Sequence, residues 1–279
     1  MLAFLAARAT PGVEVVEQGC YRRSISFKGG NGYFEAVVDE KNHSLAVRVQ
    51  FGDPSALFFI IERIRAMFDL NADWARIAPY LRSDPVLKRR VDAAPGLRVP
   101  GCWDGFELAI RAVLGQQITV KGATALAGRL VKSFGTPLRV DSGLTHLFPA
   151  PSVLADANIT SIGLTKTRAE TIRILAQSVC DGEISFERIV DTAAFLERLR
   201  EIPGIGKWTA QYIAMRALGE TDAFPAGDLG LLRAVDVQNS RELEAHAEAW
   251  RPWRAYATMY LWNGAREPTA THGKRALKT

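Results

Sequence analysis

The chain of 279 residues holds only three cysteines, Cys20, Cys102 and Cys180, odd in number and widely spaced. They form no zinc-ligand pattern, no iron–sulfur spacing and no disulfide framework, and such usage suits a reducing, cytoplasmic compartment. Long apolar runs are missing too. The stretch Ala56–Ile61 falls far short of the roughly 20 residues that a membrane span needs. The apolar start, Met1 to Ala7, has no basic segment before it and is interrupted by Arg8, which argues against a signal peptide. No internal repeat stands out. What is present is ordinary globular composition, 48% hydrophobic and 23% charged, with a net charge of +5 and a pI near 9.2. That balance suits a polyanionic partner, because Lys and Arg release condensed counterions from nucleic acid.

Two textures divide the chain. Short β-like runs at Val13–Glu17, Tyr21–Phe27, Tyr33–Asp39 and Ser44–Val49 are punctuated by turn compositions at Gly29–Gly32 and Lys41–His43. A helix-like stretch with Leu2, Phe4 and Leu5 precedes them, and Ser55–Phe68 follows with apolar residues at helical spacing. Helix, antiparallel strands, helix is an α+β pattern. The Pro- and Gly-rich segment Ala93–Gly101 reads as a linker. Beyond it nearly everything is helical: a helix opened by Asp104 and broken at Gly115-Gln116-Gln117, then Val120–Phe134, Lys166–Val179, Thr192–Arg200, Lys207–Leu218, Leu229–Val235, Arg241–Trp250 and Trp253–Trp262. The predicted domains are 1–98, α+β, and 99–264, all-α, with a loose basic tail over 265–279.

The segment Ile202-Pro203-Gly204-Ile205-Gly206-Lys207-Trp208-Thr209 carries the most information. A helix ends, two glycines turn the chain tightly, and a second helix starts. Glycine permits backbone conformations and close approaches that a side chain forbids. A fresh helix start exposes unpaired N–H groups, which suit a phosphate, and Lys207 adds charge beside them. A helix–turn–helix corner without a ligand is the plain alternative. About 20 residues later comes Asp222-Ala-Phe-Pro225-Ala-Gly227-Asp228, whose last residue stands where a helix N-cap would.

With these segments the chain resembles the helix-hairpin-helix DNA glycosylase superfamily, and within it the monofunctional 3-methyladenine DNA glycosylase II family. Phe4-Leu-Ala-Ala-Arg8, Pro95-Gly-Leu-Arg-Val-Pro-Gly-Cys102, Leu114-Gly-Gln-Gln117 and Trp250-Arg-Pro-Trp-Arg254 extend the likeness almost end to end. The resemblance implies a TATA-binding-protein-like α+β domain followed by an all-α helix-hairpin-helix glycosylase domain. It implies double-stranded DNA with alkylated bases as partner, a monomer on that DNA, and a nucleoid location if the source is bacterial. No cofactor is required. A monovalent cation, Na+ or K+, on the carbonyls of Arg200, Ile202 and Ile205 is the one metal that the resemblance implies. Members usually begin with a further strand ahead of the Phe4–Arg8 stretch. A sheet lacking it would be less stable or have that edge covered by another segment.

By the same resemblance Asp228 is the catalytic carboxylate, facing an oxocarbenium-like sugar as the base leaves, while Asp222 supports the loop. No second carboxyl stands out as general acid, and an alkylated purine that is already cationic needs none. The resemblance lines the base pocket with Trp208, Tyr212 and Trp262, whose ring faces attract a cation, and with Phe4 and Arg8. Core packing is the alternative for these aromatics. DNA contacts fall to Gly204, Gly206, Lys207, Thr209, Gln116 and Gln117, with Gln117 replacing a leucine wedge. The position that carries lysine in glycosylase/lyases is Trp208, and Lys207 is one helical step of about 100° away. The rival readings are a non-catalytic DNA-binding module and a lyase acting on oxidised bases.

Overall fold

The computed structural model describes residues 1–140, 142–187 and 191–264, so the tail predicted over 265–279 lies outside the described residues. Its first unit is an antiparallel meander, β1 (Glu14–Glu17), β2 (Cys20–Phe27), β3 (Gly30–Asp39) and β4 (Ser44–Phe51), in that spatial order. The first two turns are two-residue hairpins, Gln18-Gly19 and Lys28-Gly29, with all four residues at positive φ. Such turns match the twist of the flanking strands. The turn expected at Gly29–Gly32 therefore lies earlier, and Gly30 to Gly32 belong to β3. Gly30 and Gly32 lack side chains where a neighbouring strand crowds them: a Cβ on Gly32 would come within 2.1 Å of the Gln50 carbonyl, and one on Gly30 within 2.7 Å of the Phe51 ring. Helices α1 (Leu2–Ala6) and α2 (Leu57–Met67) bury Leu5, Ile60, Ile64 and Met67 against Tyr21, Ile25 and Phe34 of the sheet.

Residues 69–92, unassigned on periodicity, form α3 (Trp74–Arg82) and α4 (Pro85–Ala93), capped by the side chains of Asp73 and Asp84. They lie inside the stretch 1–98 but pack with the C-terminal helices. Ile77, Leu81, Leu87 and Val91 share a core with Phe224, Leu231, Trp250 and Tyr260, on and around α11 (Leu229–Val235), α12 (Ser240–Ala247) and α13 (Arg254–Gly264). A third core joins α5 (Gly105–Leu114), α6 (Val120–Phe134), α7 (Pro151–Asp156), α8 (Lys166–Cys180), α9 (Thr192–Glu201) and α10 (Lys207–Ile213). Helix α10 passes into a π-helical turn over Ala214–Leu218.

The helical part is not purely α. Strands β5 (Thr136–Pro137) and β6 (His146–Leu147) make a small ribbon. Beside it the N–H groups of Thr145 and His146 both donate to the Gly12 carbonyl, and Arg22 and Ser24 of β2 donate to the carbonyls of Ser142 and His146. Residues 142–146 thus dock on the β1–β2 side of the sheet. No described helix is long and apolar enough to cross a membrane.

Candidate active site

The turn between α9 and α10 shows why its two glycines differ. Gly204 has φ +92°, and a Cβ there would lie 2.3 Å from Thr171 Oγ1 on α8. Thr171 in turn donates to the Pro203 carbonyl at 2.7 Å. Gly206, the N-cap of α10, has an ordinary φ of −83° and open space where a Cβ would project. The first glycine is required by the fold, and the second leaves bare backbone at the helix start. Gln116, in the loop between α5 and α6, clasps the turn by donating to the Gly204 carbonyl (2.8 Å) and to Thr209 Oγ1 (3.1 Å). Two expectations change here. Thr209 is buried and its hydroxyl accepts from Gln116, so the side chain serves the clasp on the turn. The Lys207 amine is ion-paired with Glu244 of α12. Gln117 is exposed at the loop's tip with φ +57°, an uncommon conformation for a residue with a side chain.

Asp228 caps α11. Its Oδ1 accepts from the N–H of Gly230 (2.9 Å), the N–H of Leu231 (3.0 Å) and Trp262 Nε1 (3.0 Å), while Oδ2 accepts from Trp208 Nε1 (3.1 Å). Four N–H donors fix the carboxylate, and Oδ2, with one described donor, is the oxygen left to meet a reacting group. The loop before it is held just as firmly. Asp222 accepts from Arg254 Nε at 2.7 Å and pairs with Arg251, and Gln211 of α10 accepts from the Phe224 N–H at 2.9 Å. Asp222 thus supports the loop.

Beside the carboxylate opens a cavity of about 750 Å³ whose walls include Phe4, Arg8, Trp208, Tyr212, Arg216 and Trp262. Trp208 and Tyr212 stack in parallel, centroids 5.3 Å apart, and Trp262 tilts against Tyr212 at 6.3 Å. Asp228 is not on the wall; the two indoles that are hold it alongside. Phe4 differs from the other aromatics, because its ring is already met by the guanidiniums of Arg8 (3.9 Å) and Arg216 (4.9 Å). Gly115 and Ile118 bring the α5–α6 loop, and Val120 the start of α6, to the wall, whereas Gln116 and Gln117 do not line it.

One end of the cavity rests on a buried ion network that sequence reasoning missed. Glu14 of β1 accepts from Tyr21 Oη (2.7 Å), the Thr10 N–H (2.9 Å) and Arg111 of α5 (2.9 Å), and meets Arg23 of β2 at 3.2 Å. Arg23 also pairs with Glu107 of α5, and Arg111 donates to the Arg8 carbonyl. Burial opposes charge on Glu14, but Arg111, Arg23 and the hydrogen bonds outweigh it and bring its pKa down to about 2. Burial prevails at Glu107, which is raised above the usual carboxylate value despite Arg23. The signal was available: Arg23 stands between Tyr21 and Ile25 on the inward face of a strand, where an unpaired charge is prohibitive. Arg216 was legible as well, one helical turn beyond the Trp208–Tyr212 pair.

The comparisons match this arrangement. Residues 1–104 match the AlkA N-terminal domain, and residues 110–254 match the HhH-GPD superfamily base excision DNA repair protein family. The chain belongs to that superfamily, as a member with the AlkA-type N-terminal domain. The DNA-3-methyladenine glycosylase 2 of Escherichia coli is 32% identical over 94% of this chain and 92% of its own length. A Mycobacterium tuberculosis relative named as a probable bifunctional transcriptional activator/DNA repair enzyme AlkA is 40% identical over 95% of this chain. The chain spans about half, 54%, of that relative's length. The 3-methyladenine DNA-glycosylase from Archaeoglobus fulgidus shares the fold, with a TM-score of 0.83 at 24% identity over 97% of this chain and 95% of that one.

Proposed function

We propose that the protein hydrolyses the N-glycosidic bond of alkylated purines flipped out of duplex DNA, the first step of base excision repair. The observation that carries this reading is a carboxylate, Asp228, clamped by two indoles on the wall of a cavity large enough to admit a flipped base. As the base leaves, the sugar gains positive charge, and a fixed carboxylate stabilises that charge without reorganising. The carboxyls on the wall itself are engaged: Glu14 and Glu107 with arginines, Asp104 as the cap of α5. Excision therefore leans on bases whose bond is already weak, cationic methylpurines above all. The aromatic faces of Trp208, Tyr212 and Trp262 select for that charge, each contact contributing ~0.5–2 kcal/mol.

DNA is held at the Gly204–Thr209 turn, where the bare backbone at Gly206 and the N–H groups at the start of α10 meet a phosphate. Gln117 fills the gap left by the flipped base and hydrogen-bonds the orphaned partner. Hydrolysis rather than lyase chemistry fits best, since Lys207 turns away to Glu244 and the neighbouring position is Trp208. A monovalent cation on the carbonyls of Arg200, Ile202 and Ile205 belongs to the same reading. The Ile202 carbonyl accepts one N–H, from Ile205 at 3.0 Å, which leaves a lone pair for such an ion. The protein works as a monomer.

The test is release of free base from methylated duplex DNA by wild type and Asp228→Asn. Wild type releases methylpurines, and the variant binds the same DNA while release falls by about 10²–10³-fold, the usual cost of removing one transition-state charge contact. Equal release by both proteins would assign the chemistry to another group.

A further inference from the structure

Tyr212 does more in this cavity than present a ring. Its hydroxyl oxygen accepts from Arg216 Nη1 at 2.7 Å. Arg216 is buried, and its other nitrogens are spent on the carbonyls of Pro100 and Gly101. A guanidinium has no acceptor, so the phenolic proton cannot point at Arg216. No described residue accepts that proton either, and Tyr212 lies on the cavity wall. The hydroxyl is thereby fixed as a donor aimed at whatever occupies the cavity. Charge acts in the same direction: the described partners of Arg216 are carbonyls, a hydroxyl and ring faces, with no carboxylate to neutralise it.

The order of groups along α10 then gives a base its orientation. Trp208 donates to Asp228, Tyr212 stacks one helical turn further on, and Arg216 follows after another. A purine whose sugar bond lies at Asp228 reaches along this ladder with the edge remote from the sugar. That edge carries the substituent on C6. We propose that the Tyr212 hydroxyl, oriented by Arg216, donates to an acceptor at C6, a hydrogen bond that a 6-oxo purine takes up and a 6-amino purine does not. Tyr212 contacts the base, and Arg216 is its positioning residue. The inference rests on the glycosylase reading of this site.

Duplex DNA treated with a methylating agent contains both needed probes, 7-methylguanine with an oxygen at C6 and 3-methyladenine with an amino group there. Both are cationic, so charge selection cancels in their ratio. Relative to wild type, Tyr212→Phe is expected to lower kcat/KM for 7-methylguanine about three- to tenfold more than for 3-methyladenine, the worth of one neutral hydrogen bond. Arg216→Met shifts the ratio the same way, and Arg216→Lys, which keeps a donor, restores it towards wild type. A loss shared equally by the two bases in Tyr212→Phe, or an unchanged ratio, overturns the proposal while leaving the glycosylase reading in place. A wild-type protein that releases neither base overturns both.

Discussion

Gly204 and Gly206 occupy one motif and answer to different constraints. At Gly204 the positive φ and the contact with Thr171 both exclude a side chain. Gly204→Ala is expected to cost ~1–3 kcal/mol through backbone strain alone, lowering Tm by on the order of 5 °C in a thermal melt. At Gly206 nothing in the fold objects, and serine is a better N-cap than glycine. Gly206→Ser should therefore melt at or slightly above the wild-type temperature yet bind plain duplex more weakly, because its side chain intrudes where a phosphate would approach the helix start. A Gly206→Ser protein with full DNA affinity would remove that backbone from the binding surface. The sequence identified both glycines through their spacing, but it could not say which one serves the fold. That distinction depends on Thr171, more than thirty residues earlier in the chain.

At the level of elements, α10 meets α12 through the exposed pair Lys207–Glu244. An exposed pair contributes at most about 1 kcal/mol to stability, so its interest lies in binding. Glu244 competes with any phosphate for the Lys207 amine. Glu244→Gln is expected to strengthen binding to undamaged duplex about two- to fivefold at low salt and to steepen the salt dependence by about one phosphate contact. A titration at several salt concentrations reads both, and an unchanged affinity and slope would mean that Lys207 does not reach the phosphates. Most elements were legible beforehand because alternation or a long apolar stripe marks them, as in β2 and α6. The exceptions have physical causes. Gly30 and Gly32 read as a turn because nothing local reveals that Gln50 and Phe51 crowd them. Helices α3 and α4 bury only three and two residues, too few for a clear period, and their Asp73 and Asp84 caps were the stronger signal. Within the site, Trp208, Tyr212, Trp262 and Asp228 do come together, but their hydrogen bonds join residues up to 34 positions apart, which spacing alone does not reveal.

The whole molecule is tied together at the ion network, where β1 and β2 of the first unit meet α5 of the second beneath the cavity. Arg111 also holds the Arg8 carbonyl, so the network positions the segment that carries Phe4 and Arg8 on the cavity wall. Its two carboxyls should respond to acid with opposite signs. Glu14, lowered from 4.5 to about 2 on folding, contributes stability that is fully present above pH 4.5 and is lost as pH falls towards 2. The shift corresponds to about 3 kcal/mol at neutral pH. Glu107, raised by burial, takes up its proton more readily folded than unfolded, so its protonation favours the native state as pH falls towards 4.5. Melting curves between pH 2 and 7 separate the two. Glu14→Gln should be less stable than wild type at pH 7, with the gap narrowing between pH 4.5 and 2. Glu107→Gln should lose instead the gain that wild type shows on the way down to pH 4.5. If the two variants trace parallel pH profiles, Glu14 and Glu107 titrate alike, and burial and the Arg111 contact do not divide them as the geometry requires.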